Sequence, residues 1–260
     1  MFRRIAVILL VGALLGAFIT WVVQTVARNN NCRQTRMNFQ MVLGGLIGYS
    51  DSFDHLPFPV RRFSMDSTDM FWRNSQSKAL YGWRVEIIPY LESWHGSWDR
   101  SKPWDSPANR ELLELSGFYA YDQSFLTKKA SESKEPFPDA NVLAITGPGT
   151  AFGDGKEQPM SLKDVPPDAI LIVEVRASGI PWPAPNDFDI RTMPHAINAV
   201  DGKGISGRFA GGFHVGFADG VWFLSDNVPF ETLKKFFTIA DAKQYDRENL
   251  LGPYVLERHQ

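Results

Sequence analysis

The chain of 260 residues holds a single cysteine, Cys32. An intrachain disulfide and a thiolate metal cluster are thereby excluded. Net charge is scarce too, formally −2, so neither nucleic acid nor an acidic surface is implied as a partner. There is no internal repeat and no low-complexity tract. Catalytic motifs are also missing. Gly147-Pro148-Gly149-Thr150 lacks the Gly-Lys-Ser/Thr ending of a phosphate loop. Ser161 and Ser206 lack the flanks of a nucleophile elbow. His55, His95, His195, His214 and His259 show no i, i+4 or His-x-His spacing, so they carry no zinc signal. The expectation is a protein that is not an enzyme, with no catalytic residue, no metal and no cofactor.

What the chain does have begins at its N-terminus. Ile5 to Val26 (IAVILLVGALLGAFITWVVQTV) is uncharged and preceded by Arg3 and Arg4. A bilayer span takes about 20 apolar residues, and Trp21 suits an interface. A cleaved signal peptide is the rival, but the run is longer than the usual apolar region of one. A retained single-pass anchor over residues 1–27 is the favoured reading, with the lipid bilayer as partner. Arg28, Arg33 and Arg36 beyond the run argue against the orientation that Arg3 and Arg4 favour. Residues 28–50 then read as an amphipathic helix, with Phe39, Val42, Leu43, Leu46 and Ile47 on one face. Gly44, Gly45 and Gly48 mark close packing or an early end, and Pro57 and Pro59 end the helix. Residues 51–260 form the extracytoplasmic domain.

Within that domain Leu80 to Trp94 reads as a helix that Pro89 kinks or restarts, and Asp105-Ser106-Pro107 opens another through Leu115. NVLAIT (Asn141–Thr146) and AILIVEVR (Ala169–Arg176) read as strands, the second covered on both faces. PFETLKKFFTIA (Pro229–Ala240) reads as one amphipathic helix. Between them, Gly211 to Leu224 (GGFHVGFADGVWFL) is two alternating runs flanking Asp219-Gly220. That pattern predicts a hairpin with a type I′ turn. Ala218 then faces Val221, Phe217 faces Trp222 and Val215 faces Leu224. His214 falls on the opposite, solvent-facing side.

Two carboxylates invite a second reading. Glu174 lies in a buried strand and must be paired or raised in pKa. It is either a ligand-binding acid or a partner of Arg176, Arg208 or backbone donors, and the structural role is favoured. Trp182, Asn186, Asp187 and Asp189 follow. A tryptophan beside carboxylates could hold a sugar or a calcium ion, so an envelope solute-binding protein using Glu174, Trp182 and Asp187 is the alternative function. A Pro-rich connection with a buried Trp182 is the plainer explanation.

Four stretches also carry a resemblance: GWRVEIIPYLE (Gly82–Glu92), NVLAITGPGTAF (Asn141–Phe152), ILIVEVRASGIPWPAPNDFDI (Ile170–Ile190) and GRFAGGFHVGFADGVWFL (Gly207–Leu224). In this order they resemble the planctomycete family numbered 1559 among domains of unknown function, pseudopilin-like proteins that often end in an H-x9-DG segment. Gly211, Gly212, Phe217, Asp219 and Gly220 carry that signature here, with Phe209 where the family has His. The family's prepilin cleavage site is not found in MFRRIAVILL, so leader cleavage and the usual filament salt bridge are not expected. The resemblance implies a pilin-like α+β fold: a long N-terminal helix, first membrane-spanning and then amphipathic, packed on an antiparallel sheet with loop-rich insertions. It also implies a structural or interaction role in the cell envelope or secretion, within a homo- or hetero-oligomer.

Overall fold

The computed structural model describes residues 2–62, 79–91, 98–109, 139–208 and 211–259. The chain is α+β with a mixed sheet. It divides into two units, residues 1–37 and 38–260. One helix, α1 (Phe2–Phe53), runs through the first unit and into the second. In the first unit Phe18, Ile19 and Trp21 are exposed. Among the described residues no helix is long and apolar enough to cross a membrane. The run Ile5–Val26 falls largely on side chains outside the described ones, which in α1 are those of residues 2–15, 17, 23–32 and 34.

In the second unit the helix buries the face its spacing predicts. Phe39, Val42, Leu43, Leu46 and Tyr49 are in the core, and Ile47 packs against it. Gly45 and Gly48 permit the close approach expected of them, since a Cβ there would come within 2.9 Å of Leu91 and Tyr90 side-chain atoms respectively. Gly44 meets nothing. The helix stops before the prolines. Asp54 adopts φ 60° while its N–H still donates to the Ser50 carbonyl at 2.8 Å, a left-handed end of the kind that terminates helices.

Two strands, β1 (Val60–Arg62) and β2 (Ala79–Gly82), pair antiparallel. The long helix expected over Leu80–Trp94 is absent. Leu80 and Tyr81 are strand residues, a single helical turn occupies Trp83–Glu86, and Pro89 sits in a 3-10 turn, Ile88–Tyr90. Residues 92–94 lie outside the described residues, as does most of the helix expected after Asp105.

The main sheet contains β3 (Val142–Thr146), β4 (Ile172–Glu174), β5 (Phe188–Asp189), β6 (Gly212–Phe217), β7 (Gly220–Ser225) and β8 (Val255–His259), in the order β5-β3-β4-β6-β7-β8. It is antiparallel except for the β3–β5 pair, which is parallel; the wholly antiparallel sheet expected from sequence is corrected to a mixed one. All of Ile170 to Val175 is buried, so both faces of β4 are covered.

The β6–β7 hairpin is present with a different turn. Phe217 pairs with Gly220 and Val215 with Trp222, so Ala218 and Asp219 are the central residues. Neither has positive φ, which excludes type I′ and fits type I, whose fourth position favours glycine. Gly220, with φ 152°, holds that position. The shared apolar face survives the shift, because moving a turn by one position moves both strands together: Phe213, Val215, Phe217, Trp222 and Leu224 remain on one side.

The helix expected from Pro229 to Ala240 is broken into Phe230–Lys234 and Ile239–Ala242. Thr238, extended at ψ 150°, caps the second by accepting from the Asp241 N–H, a typical helix start.

Candidate functional site

The residues that the sequence offers as a binding site lie in two separate places, and β3 runs between them. Glu174 ends β4. Its Oε1 accepts from the Arg208 backbone N–H at 2.8 Å, and its Oε2 accepts from the His214 backbone N–H at 2.9 Å. The same Oε2 lies 2.6 Å from His214 Nδ1. So Glu174 takes backbone donors, as one of its readings required, and adds a histidine in place of a guanidinium.

His214 is not at the surface. It is 5% exposed, which corrects the solvent-facing placement. Its ring stacks on Phe39 of α1 at 5.6 Å and packs against Phe223 at 4.8 Å. Room for Phe39 comes from Gly216 on that face, while Gly212 lies close against β7, where a Cβ would meet the Leu224 carbonyl and the Phe223 ring. A Cβ at Gly216 would lie 2.5 Å from Ile172 Cγ1 and 3.2 Å from Phe39. The face that looked polar from the sequence is the one α1 covers.

Asp187 belongs to a second cluster. Its side chain is 2% exposed, and its Oδ1 receives three donors: Arg84 Nη1 at 2.6 Å, Trp83 Nε1 at 2.9 Å and the Ala144 backbone N–H at 2.8 Å. Oδ2 is buried without a hydrogen bond. Burial pushes the carboxyl above the usual carboxylate range, while Arg84, Trp83 and Ala144 pull it back without reversing the sign.

Arg84, 1% exposed, is the centre of this cluster. Besides Asp187 it donates to the carbonyls of Trp182 at 2.7 Å and of Ala184 and Asn186 at 2.9 Å each. The 182–187 segment is therefore wound around one guanidinium, which satisfies carbonyls that a buried loop would otherwise leave bare. Trp182 is 7% exposed and in the core. Asp189 is turned to Arg191, which holds its carboxyl below the usual range by hydrogen bonding. Glu174 and Asp187 thus share no partner, and Trp182 presents no open platform for a sugar.

The residues Gly211 to Gly220 form a third arrangement. Gly211, at φ 104°, accepts from the Asp226 N–H, and Gly212 pairs with Ser225. Phe209 lies outside the described residues. The Asp219 carboxylate is gripped by both terminal nitrogens of Arg247. Arg247 also donates to the Pro167 carbonyl at 2.8 Å, and its Nε lies 3.2 Å from Asp168. Its guanidinium stands over the rings of Phe217 and Trp222 at 4.5 and 4.8 Å, a cation–π seat.

Near β1 and β2 a further cluster collects titratable groups. Glu86 accepts from the Tyr81 hydroxyl at 3.3 Å and lies 3.6 and 3.4 Å from Arg61 and Arg100. Burial, reinforced by Glu86, pushes Tyr49 up to about 12 and raises Tyr81 as well.

An open cleft of about 370 Å³ lies along the 148–160 loop, lined by residues including Gly149, Thr150, Glu157, Met160 and Ile239. Its glycine-rich start is closed on itself. The Gly147 N–H donates to Gly153, and the Thr150 N–H and hydroxyl both donate to Gly147. Those amides do not form a phosphate cradle, in agreement with the missing Gly-Lys-Ser/Thr ending. Among the described residues no three His, Cys, Asp or Glu side chains are placed to hold a metal ion.

Arg84 and Arg247 were not singled out from the sequence. The available signal was an arginine set among apolar residues in GWRVEII, and an arginine following Asp246 at a helix start. No family model matches the chain, and neither a curated protein nor a solved structure matches it.

Proposed function

We propose that the chain is a membrane-anchored structural or interaction protein of pseudopilin-like type. Ile5–Val26 holds it in the bilayer, residues 51–260 lie on the extracytoplasmic side, and it works in a cell-envelope or secretion assembly without catalysis. The observation that carries this reading is α1. A single helix, Phe2–Phe53, contains the uncharged run at one end and core residues Phe39 to Tyr49 at the other. Exposed Phe18, Ile19 and Trp21 fall inside the uncharged run, where lipid would cover them. The resemblance to family 1559 supports the same arrangement.

The polar residues support a structural role rather than a solute site. Glu174, Asp187 and Asp219 are each engaged by donors from other parts of the chain. Partners are then met by surface shape, as a second copy or another envelope protein. Alkaline carbonate extraction of membranes, followed by protease treatment of intact cells, tests the proposal. The expected result is a chain that stays in the membrane pellet and whose domain is digested from outside. Release by carbonate, or digestion only after lysis, overturns the anchor or the orientation respectively.

A further inference from the structure

The first 50 residues contain five arginines, at positions 3, 4, 28, 33 and 36, and no aspartate or glutamate; the first acid is Asp51. All five arginines are on α1. We infer that α1 carries two arginine collars, Arg3–Arg4 and Arg28–Arg33, that bind the headgroups of anionic phospholipids. The inference rests on the membrane reading and gives that anchor a lipid preference.

The argument is one of depth. Arg28 lies 24 positions after Arg4, and a rise of about 1.5 Å per residue sets them roughly 36 Å apart along the axis. The hydrocarbon core is about 30 Å thick, and about 40–45 Å with its headgroup layers. Both arginines therefore fall in the headgroup layers when Ile5–Val26 fills the core. Arg33, which is exposed, stands about 7.5 Å further along the axis, within a long side chain's reach back to the interface. Planar guanidinium groups pair bidentately with phosphate. Since the first acid, Asp51, comes 18 positions after Arg33, the sequence places no carboxylate of α1 beside either collar. Zwitterionic lipids offer the same phosphate with a compensating cation, so net negative charge is what the collars select.

The test uses the full chain reconstituted in phosphatidylcholine vesicles doped with spin-labelled phosphatidylglycerol or spin-labelled phosphatidylcholine. Electron paramagnetic resonance reads the fraction of each label restricted at the protein. The expected result is preferential association of the phosphatidylglycerol label by roughly two- to five-fold. The preference falls toward one in Arg3→Gln/Arg4→Gln/Arg28→Gln/Arg33→Gln and at about 1 M salt, where screening shortens to about 3 Å; Arg28→Gln/Arg33→Gln alone removes one collar and lowers it part-way. Equal restriction of the two labels, or a preference that survives the fourfold substitution and salt, overturns the collars and leaves the anchor standing. Restriction of neither label overturns the anchor and the collars with it.

Discussion

Arg84–Asp187 and Arg247–Asp219 are both arginine–aspartate pairs in the second unit, and they differ in where the charge sits. The first is enclosed, with side chains 1% and 2% exposed. The second sits at the rim of the sheet, with Asp219 49% exposed. At the enclosed pair the guanidinium donors are spent on the 182–187 segment and, at 3.4 Å, on the Val142 carbonyl of β3, so the pair dictates a loop path. At the rim pair the guanidinium rests on Phe217 and Trp222, and the carboxylate is half in water. Breaking a buried pair strands a charge, whereas a solvated pair is screened and replaceable. The same residue types therefore specify backbone in one place and add a modest tie in the other.

The sharpest way to widen this contrast is Arg84→Ala. It leaves Asp187 buried and four carbonyls without this donor, and should cost about 3–5 kcal/mol, read as a large fall in the urea midpoint of the full chain in detergent. Glu174→Ala comes next. It removes the acceptor for two backbone N–H groups and for His214, at about 1–3 kcal/mol for stranded donors; retained stability would show that the β4–β6 contact does not depend on it. Asp219→Ala should cost about 1 kcal/mol or less, because the partner keeps Asp168, the Pro167 carbonyl and two rings. A loss as large as that of Arg84→Ala would erase the distinction between enclosed and rim pairs.

The Tyr49–Tyr81–Glu86 cluster adds a pH dependence of known sign. Both hydroxyls are raised in the fold, so the stabilisation is complete below the unfolded value near 10 and is lost as pH climbs from there through about 12. Equilibrium unfolding between neutral pH and pH about 11 should show this alkaline loss, reduced in Tyr49→Phe. An unchanged profile in that variant would remove Tyr49 as a source.

Much of the fold was legible where periodicity is decided by burial alone. The faces of residues 39–47 and the strands at 142–146 and 172–174 follow the spacing of their apolar residues. The hairpin was legible in position but not in turn type, because Asp-Gly serves a type I′ turn at its centre or a type I turn at its last two positions. His214 was misplaced because alternation assigns it to the polar side, and alternation does not reveal that a helix covers that side. The better signal was Gly216, a glycine two residues from His214 on the same face, which marks a close approach. β8 was missed because VLERH has no apolar alternation, and its pairing is decided by β7. Arg84 was missed because an arginine surrounded by apolar residues reads the same whether it reaches out to water or folds inward to carbonyls.

The central claim is that the carboxylates the sequence offers as ligands are internal ties. Asp187→Asn tests it most directly, because it keeps the volume and removes the charge that faces Arg84. Urea unfolding of the full chain should show a loss of about 3 kcal/mol or more. Stability within about 0.5 kcal/mol of the unaltered chain would mean that Asp187 is not needed by the fold, and would return it to the list of candidate ligand acids.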